Sequence, residues 1–312
     1  MSVTVFGSLN LDIALRLPSR AAWGQTLLVD GSAQAVGGKG LNQAIAAARF
    51  GSPTRMAGAV GNDAAGGTLR AALAADGVNI ANVAVLDGVG SGRATILIEP
   101  AGDNMIVVET GANTRATAAA GLAALDRDSR VLLVQLETDV DAVAALFADP
   151  AAASLCKILN AAPAVPAGAK LFDLADLLIF NQAEFAEYMA LDREPEGVDD
   201  LLAARRLLTR PGQAVIVTLG AVGSAMVWAD RTIFAPAIPA AAVVDTSGAG
   251  DCFCGVVAAC IDQGIAPEQA LRFANAAASI AVGRHGAAPS VPTRAEVAAL
   301  LGEAITQTDV EG

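Results

Sequence analysis

Val243-Val244-Asp245-Thr246-Ser247-Gly248-Ala249-Gly250-Asp251 leads directly into a long apolar run without proline. The β-branched residues favour an extended segment, the small residues a turn, and the apolar run a helix. A helix that begins here leaves its first N–H groups without partners and places the positive end of its dipole beside Asp251. The stretch therefore predicts an anion site with a carboxylate at its mouth, although a plain helix cap at Asp251 explains these residues about as well when they are taken alone.

An anion site of this kind suits phosphoryl transfer. Free N–H groups can hold the transferred phosphoryl group while a carboxylate accepts the proton of the attacking hydroxyl. The residues that we predict to act in this way are Gly248, Ala249, Gly250 and Asp251.

Length and composition narrow the class of protein. With 312 residues, 54% of them hydrophobic and 17% charged, the chain can form one large core with a small appended lid, and a disordered chain is excluded. The net charge of −12 argues against nucleic-acid binding. The cysteines at 156, 252, 254 and 260 lack zinc-like spacing and indicate free thiols in a reducing compartment. Without a leader or an apolar run of about 18 residues, we expect a soluble cytoplasmic protein that does not enter a membrane.

Short β-branched segments alternate with alanine-rich helical segments along most of the chain. This pattern predicts an α/β fold with a mainly parallel sheet covered on both faces. The predicted strands are residues 4–6, 54–58, 131–135, 157–159, 177–180 and 214–218. The predicted helices are residues 41–50, 64–75, 139–147, 182–190, 198–208, 252–263, 267–282 and 294–305.

Two segments, about residues 11–36 and 93–109, break this alternation. In the second segment, residues 95–99 and 105–109 flank the turn Pro100-Ala101-Gly102-Asp103-Asn104. Both segments are typical of antiparallel strands without a covering helix, and we expect them to form a lid over a site.

Ligands of open α/β sheets bind beyond the carboxyl ends of the strands, so polar residues there are candidates. Asn10 and Asp12 lie two apart in an extended segment, so both side chains can hold one polyol, unless the segment is simply a solvated edge. In Gly37-Gly38-Lys39-Gly40-Leu41-Asn42, glycines permit close backbone approach, and Lys39 and Asn42 can donate to hydroxyl groups. No Ser or Thr follows the lysine, which excludes a P-loop.

Later strands end in further polar residues, among them Glu137 and Asn160. Asn181 and Glu184 have the spacing of a first helical turn, so they can contact a phosphate and its hydrated metal or form a capping box. Thr218-Leu219-Gly220-Ala221-Val222-Gly223 can either approach a nucleotide or turn a hairpin.

Residues 37–51 and 245–258 resemble the two signature regions of the ribokinase-like, phosphofructokinase-B-type carbohydrate kinases, and the resemblance extends almost end to end. Gly7-Ser8-Leu9-Asn10-Leu11-Asp12 and Asn181-Gln182-Ala183-Glu184 match further landmarks in the family's order. The resemblance implies a ribokinase-like three-layer α/β/α sandwich that forms a single domain over residues 1–312. It also implies that the lid makes a homodimer contact.

The same resemblance implies transfer of the γ-phosphate of ATP to the primary hydroxyl of ribose, with Asp251 as the base and with Mg²⁺ and K⁺ as cofactors. The sugar-binding residues that it implies are Asn10, Asp12, Gly38, Lys39, Asn42, Glu137 and Asp251. The implied nucleotide-binding residues are Asn181, Glu184, Thr218, Gly220, Gly223, Gly250 and Asn275, with Glu184 also supporting magnesium indirectly. The implied site for a potassium-like ion, mostly of backbone oxygens, comprises Asp245, Ser247, Arg284, Gly286 and Ser290.

Departures from the family pattern leave alternatives open. Asn275 stands where many of these kinases carry a histidine, and Trp23-Gly24-Gln25-Thr26 departs from the usual sequence before the lid strand. A kinase for another neutral sugar or a nucleoside, such as deoxyribose, a ketohexose or an adenosine-like compound, is therefore an alternative. A non-catalytic sugar-binding regulator is disfavoured because Asp251 is retained. A dinucleotide-dependent oxidoreductase is disfavoured because Gly7 alone follows the first strand.

Overall fold

The strands of this protein mostly follow its β-branched and leucine-rich runs. The structure, a computed structural model, describes residues 1–29, 31–101 and 103–302. Interior strands are buried along nearly their whole length, as expected for strands covered on both faces. Within the described residues the strands are β1 (Ser2–Phe6), β2 (Asn10–Arg16), β3 (Ser32–Gly37), β4 (Thr54–Gly61), β5 (Asn79–Leu86), β6 (Gly92–Ile98), β7 (Asn104–Glu109), β8 (Ser129–Val134), β9 (Cys156–Asn160), β10 (Leu177–Asn181), β11 (Ala214–Thr218), β12 (Gly223–Val227) and β13 (Thr232–Pro236).

Most of the helices that cover the sheet begin at a side-chain cap. A side-chain oxygen that accepts a first-turn N–H satisfies a donor that the helix itself cannot pair. The capping residues of this kind are Asp63, Thr117, Asp139, Asn181 and Thr293. The described α-helices are α1 (Lys39–Arg49), α2 (Ala64–Ala75), α3 (Ala118–Ala124), α4 (Val140–Ala148), α5 (Gln182–Met189), α6 (Ala249–Asp262), α7 (Pro267–Val282) and α8 (Arg294–Leu301).

The central sheet has the order β13-β12-β11-β10-β9-β8-β1-β4-β5. All its pairings are parallel except those of β11 with β12 and β12 with β13, which are antiparallel. One apolar core joins the sheet to α1, α6 and α7, and a second joins its other face to α3, α4 and α5. The predicted α/β class with a mainly parallel central sheet is confirmed.

A small second sheet contains the segments that break the alternation. Its order is β3-β2-β6-β7, with antiparallel outer pairs and a parallel central pair, β2 with β6. The strands predicted in residues 11–36 and 93–109 are therefore present, and the parallel pair joins the two segments into one sheet. Asp30 and Gly102 lie outside the described residues.

Several elements differ from the prediction. Residues Val198–Leu207 form a 3₁₀ rather than an α-helix, and its buried residues Leu201 and Ala204 lie three apart, which suits the three-residue turn. Strands β5, β12 and β13 and helix α3 were not predicted. The predicted end of the last helix at Ile305 lies outside the described residues. Among the described residues, no helix combines the length and apolar character needed to cross a membrane.

Candidate active site

The start of α6 forms the centre of the site. Gly248 adopts a left-handed conformation (φ +74°) and offers no side-chain cap. Among the described residues, no protein acceptor pairs with the backbone N–H of Gly250 or Asp251, and the N–H of Ala249 reaches the Thr246 carbonyl only at 3.4 Å. The four predicted catalytic residues therefore lie together, with free N–H groups beside a carboxylate as the sequence indicates.

Asp251 is almost fully buried, with 8% of its surface exposed. Asn42 Nδ2 donates to Asp251 Oδ2 and Gln43 Nε2 donates to Asp251 Oδ1, each at 2.9 Å. These donors come from adjacent residues of α1, which packs closely on α6. Gly255 permits this approach, since a Cβ there would lie 2.4 Å from the Gln43 carbonyl oxygen. Both carboxylate oxygens are thus held by side-chain amides.

The amides extend beyond Asp251 to Asn160 and to two glutamines that the sequence analysis did not identify. Gln43 Nε2 also donates to Asn160 Oδ1 at 2.9 Å, and Gln135 Nε2 donates to Gln43 Oε1 at 2.6 Å. Gln43 and Gln135 are completely buried. A glutamine within the apolar run 131–136 was a signal of a buried polar contact, but sequence alone does not show its partner.

Strand β2 presents Asn10 and Asp12, so this segment is a strand of the small sheet rather than a solvated edge. Asn113 Nδ2 donates to Asn10 Oδ1 at 2.7 Å and thereby fixes the Asn10 amide; the sequence analysis did not identify Asn113. Burial, together with the charges of Glu137 and Asp251, raises the pKa of Asp12 to about 7.

Glu137 lies in the segment that follows β8 and contacts Lys39 at the start of α1. Ser8 Oγ donates to Glu137 Oε2 at 2.5 Å, and the Lys39 backbone N–H donates to the same oxygen at 3.1 Å. Burial alone would lower the pKa of Lys39, but nearby carboxylates, Asp251 foremost, outweigh it and raise the pKa. Gly38 (φ +89°) allows the loop to pass within contact of β2, where a Cβ would lie 2.7 Å from the Asn10 nitrogen.

Two cavities meet at Thr218 and Gly250, which line both. The polar cavity, of about 190 Å³, is lined by ionisable and amide side chains that include Lys39, Asn160, Asn181, Glu184 and Asp251. The larger cavity, of about 550 Å³, is more apolar and is lined by residues that include Gly220, Gly223, Ile238, Phe253, Asn275 and Val282. The predicted nucleotide-binding residues therefore lie along the two joined cavities, and the 218–223 segment also forms the turn between β11 and β12.

Asn181 and Glu184 form the capping box that the sequence left as one of two alternatives. Asn181 Oδ1 accepts the Glu184 N–H at 2.8 Å, and Glu184 Oε2 accepts the Asn181 N–H at 2.9 Å. Burial is the largest effect on Glu184 and raises its pKa, against the opposing influence of the Asn181 N–H and Lys39. Since both residues also line the polar cavity, the cap holds them in place there.

The predicted ion-site residues form a connected loop beside the start of α6. Asp245 accepts the N–H groups of Ser247 and Gly286, both at 2.9 Å, and Arg284 Nη1 donates to the Ser290 carbonyl at 3.4 Å. Burial opposes ionisation of Asp245, but these N–H donors outweigh it and lower its pKa. The loop offers carboxylate and carbonyl oxygens, which are the ligand types that suit a hard cation, but the oxygens of Asp245 and Ser290 accept hydrogen bonds from protein groups.

The loop also contacts the anion site directly. A Cβ on Gly248 would lie 2.6 Å from the Ala287 Cβ and 2.8 Å from its Cα. Arg49 of α1, which the sequence analysis did not identify, donates to the carbonyls of Ala288 and Val291 at 3.2 and 2.7 Å. The loop is therefore tied to both helices that hold Asp251.

Comparisons with known proteins agree with this arrangement. The chain is 35% identical to the ribokinase of Bacillus subtilis over 302 residues, covering 96% of this chain and 99% of that protein. It is 32% identical to the ribokinase of Schizosaccharomyces pombe over 307 residues, covering 95% and 96%. The structure of Arabidopsis thaliana ribokinase with ribose and ATP superposes with a TM-score of 0.86 at 31% identity, covering 97% of this chain and 99% of that one.

The family model for pfkB family carbohydrate kinases matches residues 1–294, which is most of the chain. A match over this much of the chain settles the assignment. The protein belongs to the pfkB family of carbohydrate kinases.

Proposed function

We propose that this protein is an ATP-dependent kinase that phosphorylates the primary hydroxyl of D-ribose, giving ribose 5-phosphate and ADP. The observation that carries the proposal is the position of Asp251, a buried carboxylate next to free N–H groups where a polar and an apolar cavity meet. The relatives named ribokinase, and the Arabidopsis protein's complex with ribose and ATP, support ribose as the sugar.

In the proposed reaction, Asp251 accepts the proton of the primary hydroxyl as that oxygen attacks the γ-phosphorus. The new O–P bond forms, the bond between the γ-phosphorus and the β–γ bridging oxygen breaks, and ADP leaves. The backbone N–H groups of Ala249, Gly250 and Asp251 stabilise the negative charge on the transferred group, while the left-handed turn at Gly248 aims them. Lys39 adds a positive charge to the polar cavity.

The sugar lies between the small sheet and the start of α1 in this proposal. Side chains and backbone from both sides hold its hydroxyl groups and orient the primary hydroxyl toward Asp251. The residues that we assign to the sugar are Asn10, Asp12, Gly38, Lys39, Asn42 and Glu137.

The larger cavity would hold the adenosine of ATP. Its wall combines apolar side chains with glycines that let a flat base approach the backbone, a lining typical of nucleotide pockets. The residues that we assign to ATP are Thr218, Gly220, Gly223, Gly250 and Asn275, with Asn181 and Glu184 at the phosphate end.

Magnesium and a monovalent cation would complete the site. Among the described residues, no group of three or more His, Cys, Asp and Glu side chains could hold a metal alone, so Mg²⁺ would reach the protein through ATP phosphates and through water on Glu184. Bound there, it would neutralise phosphate charge. A potassium-like ion in the loop of Asp245, Ser247, Arg284, Gly286 and Ser290 would hold Gly248 through its contact with Ala287.

We also propose that the small sheet acts as a lid and as a homodimer contact. Strand β7 is an edge strand, and Met105, Ile106, Val107 and Val108 each keep about half or more of their surface exposed. An exposed apolar edge strand is a surface that a second copy can cover. Sedimentation of the wild type and of Ile106→Lys tests this: a dimer that becomes monomeric supports it, and a wild-type monomer contradicts it.

Free cysteines are consistent with a cytoplasmic location.

The kinase proposal is tested by ADP release from purified protein with Mg-ATP and K⁺. The phosphoryl acceptors compared are ribose, deoxyribose, fructose and adenosine, with Asp251→Asn as the control. We expect ribose to give the highest kcat/KM, and Asp251→Asn to bind ribose while losing about three orders of magnitude in kcat. A higher kcat/KM for another acceptor would retain the kinase activity and assign it to a different substrate. A near-normal kcat in Asp251→Asn would show that Asp251 is not the general base. If no acceptor gave ADP release, a sugar-binding role without catalysis would be favoured.

A further inference from the structure

A chain of buried side-chain amides ends on Asp251. Gln135 donates to Gln43, and Gln43 donates both to Asp251 and to Asn160. Neither glutamine lines the polar cavity. We propose that Gln43 and Gln135 are positioning residues for Asp251, in which Gln135 fixes the direction of the Gln43 amide. The proposal rests on the kinase function above, because it gives Asp251 its catalytic orientation.

The chemistry of the groups sets the direction of the chain. An ionised carboxylate can only accept hydrogen bonds, so Gln43 must turn its NH₂ group toward Asp251. The Gln43 oxygen then points away from Asp251 and requires a donor, which Gln135 supplies at 2.6 Å. The opposite orientation of Gln43 would place its oxygen against the oxygens of Asp251 and Asn160.

Gln135, at the far end of the chain of amides, shows that Asp251 determines which way the side-chain amides point. Gln135 Oε1 is buried and has no hydrogen-bond partner among the described residues. Leaving a buried acceptor unpaired is unfavourable, so this orientation is retained for what Gln135 Nε2 does at its other end. The position of Gln135 also requires Gly7, since a Cβ there would lie 2.0 Å from Gln135 Oε1.

The consequence for the reaction is an Asp251 carboxylate that cannot rotate freely. Asn42 holds one oxygen and Gln43 the other, so the carboxylate plane is fixed relative to the N–H groups at the start of α6. Loss of the Gln135 donor would release the Gln43 amide and loosen its hold on the carboxylate.

Gln135→Met is the first test, because it removes the donor at nearly constant side-chain volume. We expect kcat to fall about tenfold to a hundredfold, because a misplacement of about 1 Å in a reacting group can cost about a hundredfold in rate. The Kd for ribose, measured by titration calorimetry, should change less than about threefold, since Gln135 does not contact the proposed sugar site. An unchanged kcat, or a kcat and a ribose affinity that fall together, would overturn the proposal.

Gln135→Glu provides a rescue that a purely structural role would not produce. Protonated, the introduced carboxyl donates to Gln43 Oε1 as Gln135 does; ionised, it repels that oxygen. The ratio of its kcat to that of the wild type should therefore fall as pH rises between about 5.5 and 9.5, because the introduced group loses its proton. If this ratio stays, at every pH, as low as the ratio of the kcat of Gln135→Met to that of the wild type, the proposed role of Gln135 is wrong.

Gln213→Met serves as the matched control. Gln213 is also a buried glutamine, and its amide donates to the carbonyls of Phe172 and Ala175 at the opposite edge of the central sheet. We expect it to lose stability without a change in kcat or in its pH profile. If the wild type phosphorylates no acceptor, the kinase proposal fails. A crystal structure of Gln135→Met still tests whether Gln135 and Gln43 position Asp251. Rotation of Asp251 away from Gln43 would support it, and an unmoved Asp251 would overturn it.

Discussion

The two joined cavities are built in different ways. At the polar end, Asp251 is held by side-chain amides from α1, and its neighbours include the ionisable side chains of Asp12, Glu137 and Lys39. At the apolar end, the wall consists mainly of glycines, alanines and aliphatic side chains. The polar end depends on the angle of particular hydrogen bonds, whereas the apolar end depends on its width and shape.

This difference follows from what each end would do. A reacting group loses rate when its angle or distance changes slightly, because the transition state requires a fixed geometry. The adenine base of a nucleotide in an apolar pocket is held by its contact area and tolerates small shifts. Substitutions at the start of α6 should therefore lower kcat strongly, and substitutions around the larger cavity should raise the KM for ATP modestly.

Gly248→Ala should give the largest effect of the variants that test this contrast. The new Cβ would strain a φ of +74° and would lie 2.6 Å from the Ala287 Cβ, so the turn and the ion loop must separate. We expect kcat to fall about a hundredfold, the size expected when one N–H donor of an anion site is misplaced. Steady-state kinetics with ribose and ATP measures it.

Gly264→Ala is the matched control for Gly248→Ala. Gly264 follows the other end of α6 with a similar φ of +70°, but a Cβ there would have no neighbour within 4 Å. The control should lose about 1 kcal/mol of unfolding free energy from backbone strain and keep its kcat. Equal losses of kcat in the two variants would show that general helix stability, rather than the anion site, explains the effect.

The sequence predicted the residues at the strand ends because the carboxyl ends of parallel strands meet at one edge of a sheet. It did not predict Gln43 or Gln135 as site residues. Helix α1 is buried on nearly every side, from Gly40 to Ala47, so its apolar period does not show where a polar side chain points. Strand β5 contains the β-branched residues Ile80, Val83 and Val85, but it was missed because its apolar residues do not alternate regularly with polar ones.

Asp12→Asn tests the charged part of the polar end and should have an intermediate effect. The pKa of Asp12 is raised to about 7, mainly by burial, so the carboxyl is partly protonated near neutrality. If the ionised form binds the sugar, the KM of the wild type for ribose should fall about tenfold as pH rises from 6 to 8. In Asp12→Asn the KM should be higher and should not vary over this range. A wild-type KM independent of pH would contradict this role for Asp12.

Stability offers an independent measure of the same carboxyl. Because the folded-state pKa of Asp12 lies above its unfolded value, the folded protein holds a proton that the unfolded chain loses between about pH 4 and 7. The group therefore lowers the free energy of unfolding progressively as pH rises through that window. Asp12→Asn removes this loss, so its melting temperature should exceed that of the wild type by a larger margin at pH 8 than at pH 5.

Asn275→Ala should show the smallest effect, because it alters the width of the apolar end without touching Asp251. Asn275 Nδ2 donates to the carbonyls of Ala235 and Pro236 at 2.9 and 3.2 Å and so joins α7 to β13. Losing this contact should raise the KM for ATP about threefold to tenfold, the range that corresponds to a neutral hydrogen bond. The KM for ribose should not change.

A control for this variant distinguishes a local effect from a general loss of stability. Gln213→Ala removes another amide that joins two backbone carbonyls, at the edge of the sheet remote from both cavities. It should lower the melting temperature and leave both KM values unchanged. If Asn275→Ala raised the KM for ribose as much as the KM for ATP, the two ends would be mechanically coupled, and the division between an angle-dependent and a shape-dependent end would not hold.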